Sequence, residues 1–133
     1  MTESRRRLEG LGELEAAVMR VVWERGQVTV AETLRALQPE RPLAYTTVMT
    51  VMSRLAEKRL LRRQKEGRSY VYQPALAQDE VAGSLLSSLV GRLYGGSSAR
   101  AIAYLIEAES GADESELARL ETLIRRKRGK LDR

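Results

Sequence analysis

The run Leu43-Ala44-Tyr45-Thr46-Thr47-Val48-Met49-Thr50-Val51-Met52-Ser53-Arg54-Leu55, continued by Lys58-Arg59-Leu60-Leu61-Arg62-Arg63-Gln64-Lys65-Glu66-Gly67-Arg68, changes its hydrophobic period partway along. With Val48 at zero and about 100° added per residue, Val48, Val51, Met52 and Leu55 fall within about 50° of one line. That spacing predicts a helix over about 45–58 with one core face. Thr46, Thr50, Ser53 and Arg54 fall on the opposite side, with Thr47 at its edge. This outer face carries no acidic residue until Glu57. A solvated helix face would more often mix Glu and Lys and avoid threonine, a mediocre helix former. Small hydroxyls let a helix approach base edges, and threonine methyls can meet thymine methyls. Beyond Leu61 the period becomes two. Strands are predicted over 61–65 and 69–73, joined at Glu66-Gly67-Arg68, with Tyr70, Val71 and Tyr72 favouring extended backbone and Gly67 the turn.

Upstream, Leu11, Leu14, Val18, Val21 and Val22 recur at helical spacing over about 12–25, and Gly26 supplies the stop. Trp23 is expected in the core. Gln27-Val28-Thr29 allows a stub of strand. Thr29 followed by Glu32 is a capping-box pattern that opens a short helix through Leu37, with Ala31, Leu34 and Leu37 on one side. Pro39 and Pro42 bound an exposed turn. Three helices followed by a basic hairpin outline a winged helix-turn-helix over residues 1–74.

Charge agrees with that outline. The net charge is +5, and residues 1–74 hold all of the excess, with 14 Lys/Arg against 9 Asp/Glu. Six basic residues lie between Lys58 and Arg68, where a wing would straddle a phosphate backbone. Arg5-Arg6-Arg7 reads as a disordered tail.

After Pro74 the pattern is helical again, which suggests a helical dimerisation domain over 75–133. Val81, Ala82, Leu85, Leu86, Leu89, Val90 and Leu93 form a broad apolar stripe. Gly95-Gly96 breaks it, and Ser97 or Ser98 caps the next helix. That helix carries Ile102, Leu105 and Ile106, and Gly111 ends it. A last helix starts near Asp113 and carries Leu117, Leu120 and Leu123 or Ile124. The stripe is wider than a short appendage could bury alone, so Val81, Leu85, Leu89, Leu93, Ile102, Leu105, Leu117 and Leu120 are expected to pack against a second copy. The fold is therefore mainly α. The basic end, Arg125-Arg126-Lys127-Arg128 with Lys130, complements the negative end of the last helix dipole.

Absences narrow the function. There is no cysteine and no histidine. This removes disulfides, Cys/His metal sites and Ser-His or Cys-His relays, so no metal and no cofactor is expected. No nucleophile and base can be assembled at recognisable spacing, and an enzyme is not expected. The uncharged run Val81 to Gly91 is too short and polar for a bilayer, and no signal-peptide pattern opens the chain. The chain reads as cytoplasmic, without membrane insertion.

Leu11-Gly12-Glu13-Leu14-Glu15 with Val18-Met19 and Val22-Trp23 resembles the opening of the penicillinase-repressor family, the BlaI/MecI/CopY group. So do Leu43-Ala44-Tyr45-Thr46-Thr47-Val48-Met49-Thr50-Val51 with Arg54-Leu55, and Gly67-Arg68 with Tyr70 and Tyr72. The resemblance covers about residues 8–74, and Leu93-Tyr94-Gly95-Gly96 extends it. It implies a homodimeric winged-helix repressor that binds double-stranded operator DNA at an inverted repeat of TACA/TGTA-type half-sites. The genes controlled would encode β-lactamase, penicillin-binding protein or related functions. Carried onto this chain, Thr46, Thr47, Met49, Thr50 and Arg54 face the DNA from the helix, and Arg68 contacts it from the wing, flanked there by Arg63 and Lys65.

The copper-responsive branch carries a C-terminal cysteine cluster that this chain lacks, so copper control of that type is excluded. The β-lactam branch is inactivated by cleavage after a membrane-bound sensor metalloprotease acts, directly or indirectly. The equivalent bond lies near Tyr104–Leu105, where the Asn-Phe pair of the best-known members is absent. Two rival readings stand beside the repressor: a winged-helix regulator sensing a small molecule, and a helical module whose wing binds an acidic protein.

Overall fold

The computed structural model describes residues 11–108 and 113–132. The Arg5–Arg7 tail and the Gly111 stop lie outside the described residues. The elements are α1 (Glu13–Arg25), β1 (Val28–Thr29), α2 (Val30–Leu37), α3 (Tyr45–Glu57), β2 (Leu61–Glu66), β3 (Ser69–Pro74), α4 (Gln78–Leu93), α5 (Ser98–Ala108) and α6 (Glu114–Leu131). Internal packing divides the chain into two units, with the boundary between Ser87 and Ser88.

In the first unit local chemistry sets the end of α1 and the start of α2. Gly26, at φ 80°, ends α1 with its N–H bonded to the Val22 carbonyl, a backbone conformation that costs glycine nothing. Thr29 caps α2: its hydroxyl accepts from the Glu32 N–H at 3.1 Å, and the Glu32 carboxylate accepts from the Thr29 N–H at 2.9 Å. The α2 face differs from expectation. Val30, Thr33 and Leu37 are buried, Leu34 is half-buried, and Ala31 is exposed. Thr33 can be buried because its hydroxyl donates to the Thr29 carbonyl at 2.9 Å, so no polar group is left unpaired.

The end of α3 is a Schellman motif. The Leu60 N–H bonds to the Leu55 carbonyl, and the Arg59 N–H to that of Ala56. Leu55 and Leu60 are both fully buried. The motif turns the chain straight from α3 into β2 through Arg59, at φ 65°.

β2 and β3 form an antiparallel hairpin that pairs Arg63 with Tyr72 and Lys65 with Tyr70, and Gly67 at φ 63° sits in its turn. β1 adds to the other side of β3, with Val28 opposite Tyr72, so the sheet order is β1-β3-β2. The core lies between the helices and one face of this sheet. It is built from Val18, Met19, Val22, Val28, Val48, Met52, Leu55, Leu60, Leu61 and Tyr72. Trp23 packs at its edge, and its Nε1–H donates to the Leu76 carbonyl at 2.9 Å.

The apolar stripe of α4 has two fates. Val81, expected on the dimerisation surface, is 1% exposed and belongs to the core of the winged unit. Its own chain already covers it, so it has no surface to offer a partner. Leu85 packs partly against the same core, whereas Leu86, Leu89 and Leu93 are exposed.

In the second unit Ser97 caps α5, its hydroxyl accepting from the Arg100 N–H, and Asp113 caps α6, its carboxylate accepting from the Glu116 N–H. Among the described residues beyond Val81, none is buried. Ile102, Leu105, Ile106, Leu120, Leu123 and Ile124 are all exposed, and Leu117 is half-buried. No helix of the described residues is long and apolar enough to cross a membrane.

Candidate nucleic-acid interface

The sequence of α3 separates its two faces. Val48, Met52 and Leu55 are fully buried and hold the helix on the core. This leaves Thr46, Thr47, Met49, Thr50 and Arg54 exposed on the opposite side, where the sequence places a reading surface. Met49 is exposed by 41%, which is notable for a large apolar side chain on an otherwise polar face. The Thr50 hydroxyl donates to the Thr46 carbonyl at 2.8 Å. The N-cap of α3 is Ala44, which has no side chain able to cap, and the first turn holds no acidic residue. The positive end of the helix dipole is therefore left for an external anion.

The hairpin stands beside this helix. Because side chains alternate along a strand, Leu61, Arg63 and Lys65 share one face with Tyr70 and Tyr72. Leu61 and Tyr72 are the buried end of that face; Arg63, Lys65 and Tyr70 are its exposed end. The Arg63 guanidinium lies 4.7 Å from the centre of the Tyr70 ring, and its Nη1 donates to Ser53 Oγ of α3 at 3.4 Å. One arginine thus ties wing to helix while its charge stays at the surface. Arg68 sits at the turn. Between hairpin and helices runs a groove of about 340 Å³ whose walls include Tyr45, Met49, Ser53, Arg63, Arg68 and Tyr70.

Of the residues expected on the DNA surface, Met49, Arg63 and Arg68 line this groove, while Thr46, Thr47, Thr50, Arg54 and Lys65 are exposed but do not line it. The cationic run is less uniform than its sequence suggests. Lys58 Nζ is bound to Glu15 Oε2 at 2.9 Å in a half-buried pair that fastens the end of α3 to α1. Arg62 alternates onto the other face of β2. Ser53, placed by its spacing on the outer face of α3, lines the groove, and Tyr45 and Tyr70 are contributors that the sequence pattern did not single out for the surface. For Tyr70 a signal was present: it alternates with Tyr72 and stands opposite Lys65 across the hairpin.

Of the residues near the expected cleavage bond, Tyr104 and Leu105 lie within α5 and are exposed. Of those expected at a dimer surface, Leu89, Leu93, Ile102, Leu105 and Leu120 are exposed, Leu85 and Leu117 are half-buried, and Val81 is internal. Among the described residues no group of His, Cys, Asp and Glu could hold a metal ion.

The model of the penicillinase repressor family matches residues 11–126. The transcriptional regulator BlaI of Mycobacterium tuberculosis is 41% identical over 115 residues, covering 85% of this chain and 83% of its own. The penicillinase repressor of Bacillus licheniformis is 25% identical over 114 residues, or 84% of this chain and 89% of its own. The solution structure of the DNA-binding domain of the repressor BlaI superposes with a TM-score of 0.50 at 27% identity, over 55% of this chain and 89% of that domain. Sequence, fold and exposed basic groove agree: the chain belongs to the penicillinase repressor family, a family of DNA-binding transcriptional repressors.

Proposed function

We propose that each winged unit reads one operator half-site, with α3 in the major groove and the β2–β3 hairpin on the adjoining phosphates. The observation that carries this reading is the pairing of an outward threonine face on α3 with Arg63, which reaches Ser53 of that helix from the wing. Thr46, Thr47, Met49, Thr50 and Arg54 then contact base edges, while Arg63, Lys65 and Arg68 contact phosphates. The uncapped first turn of α3 adds backbone N–H groups toward a phosphate.

Two copies joined through the exposed apolar faces of α4, α5 and α6 present two such units to one inverted repeat, about one helical turn apart. Apolar side chains exposed along three successive helices support a second copy as their cover. The protein acts by occupying promoter DNA.

Fluorescence anisotropy with a duplex carrying an inverted TACA/TGTA repeat, against a scrambled duplex, tests the proposal. A preference of at least a hundredfold is expected, with affinity falling steeply as salt rises. Three phosphate-contacting cations per subunit predict a log–log slope of about −5. Equal affinity for the two duplexes would overturn the reading.

A further inference from the structure

We propose that Met49 is an oxidation site, and that its conversion to methionine sulfoxide releases the protein from its operator. The proposal goes beyond the operator reading above and rests on it, because it takes the exposed face of α3 as the face that meets DNA. The chain has four methionines and no cysteine. Met19 and Met52 are fully buried in the core of the winged unit, and Met1 lies outside the described residues. Among the described residues Met49 is the one exposed methionine. With no thiol in the chain to compete, its thioether is the side chain a peroxide attacks first.

The surroundings of that sulfur give its oxidation a consequence. Amid Thr46, Thr47 and Thr50, Met49 offers a long apolar side chain, and it lines the groove of about 340 Å³ together with Tyr45, Tyr70, Arg63 and Arg68. Pressed against a base edge, a thioether gives up little hydration. A sulfoxide carries a strongly hydrated S–O dipole, and covering it costs that hydration unless a donor pairs with it. The strongest donors sharing the groove are the Arg63 and Arg68 guanidinium groups. These are the cations that the wing offers to phosphates. A sulfoxide that pairs with them draws charge away from the backbone, and one that stays unpaired is buried at a loss. Both weaken the complex.

The oxidant is hydrogen peroxide or an organic hydroperoxide. A sulfur lone pair attacks one peroxide oxygen, the O–O bond breaks and an S–O bond forms. With hydrogen peroxide, the hydroxide released takes the proton of the transferred hydroxyl and leaves as water. Sulfur is oxidised by two electrons and the peroxide is reduced by two. A thiol-dependent methionine sulfoxide reductase reverses the change. Bound operator covers the groove, so oxidation acts on the free protein and prevents its return to DNA.

Full-length protein treated with dilute hydrogen peroxide tests this, with peptide mass spectrometry for the site and anisotropy on the inverted-repeat duplex for the effect. Met49 should gain one oxygen at least about tenfold faster than Met19 and Met52, and saturating operator should slow that gain about tenfold. Complete oxidation of Met49 should weaken operator binding by about ten- to a hundredfold, the scale of one polar group buried without a partner. Methionine sulfoxide reductases A and B with dithiothreitol should restore binding in step with loss of the Met49 sulfoxide. In Met49→Leu, whatever its own affinity, peroxide should leave operator binding unchanged; this variant keeps Met1, so the same result excludes Met1 as the cause. Where Met49→Leu binds too weakly to compare, the reductase recovery of the wild type decides. Protein oxidised at Met49 that binds operator as tightly as before overturns the proposal, as does Met49 oxidising no faster than Met19 and Met52. The operator reading survives either result when the untreated protein prefers the operator to the scrambled duplex. An untreated protein without that preference overturns the operator reading, and this proposal with it.

Discussion

The Thr50 hydroxyl donates its proton to the Thr46 carbonyl, 2.8 Å away and one turn earlier in α3. Toward a base pair Thr50 therefore offers no hydrogen-bond donor; it offers a γ-methyl and oxygen lone pairs. A thymine methyl is the complementary feature in the major groove. Thr50→Val should bind operator within about twofold of wild type, and Thr50→Ala should lose about 1 kcal/mol, the scale of one methyl-sized contact. Replacing operator thymines by uracil, measured by anisotropy, should abolish the difference between wild type and Thr50→Ala at one position. Equal discrimination by Thr50→Ala and wild type would mean that this face does not read bases.

Arg54 and the wing cations should fail in different ways. Arg54→Ala is expected to cost about 1–3 kcal/mol on the operator and to relax discrimination between sequences. Arg63→Ala and Arg68→Ala should weaken operator and scrambled duplexes evenly, each removing one contact per subunit and so reducing the salt slope of the dimer by about 2. Arg63→Lys should recover only part of the loss, because an ammonium cannot stack its plane on Tyr70 while donating sideways to Ser53.

Arg59 occupies the C′ position of the Schellman motif at φ 65°, where a side chain is disfavoured and glycine is not. Arg59→Gly should therefore raise stability by about 0.5–1 kcal/mol in chemical denaturation, through relief of that conformation. Its side chain is exposed, so no packing is lost. A decrease in stability would show that the arginine makes a contribution larger than its backbone strain.

The capping box at Thr29 predicts a pH dependence. Hydrogen bonds from the Thr29 backbone N–H, then from its side chain, hold the Glu32 carboxyl below its usual 4.5. A carboxyl lowered in the folded state stabilises the fold above the unfolded-state value, and that contribution disappears as pH falls through the lowered folded value. Wild type should thus exceed Glu32→Gln in stability at pH 7, and in thermal melts the two should converge as pH falls from 4.5 through the lowered folded value. Thr29→Ala should cost about 1 kcal/mol at neutral pH.

Local chemistry in the chain determined much of this protein on its own. The core and outer faces of α3, the hairpin turn at Gly67, the stop at Gly26 and the Thr29–Glu32 box all arise from residues within four positions of one another. Their physical causes, periodicity, capping and turn preference, act over that range. The exposure of Thr46, Thr47 and Thr50 follows from the same periodicity.

Tertiary structure decided what each face meets. Apolar periodicity marked Val81 and Leu93 alike, yet Val81 is sealed in the winged core and Leu93 is 73% exposed, because a stripe specifies that a surface is apolar and not which neighbour covers it. Two-residue β1 is too short to show a period, and its place beside β3 depends on Val28 reaching Tyr72 across 44 positions. Lys58 looked like one cation in a run until Glu15, 43 residues away, was brought to it. Thr33 could be buried only after its hydroxyl found the Thr29 carbonyl. Pairings over such distances form only when the whole chain is packed, since closing the intervening loops costs entropy that no local preference supplies.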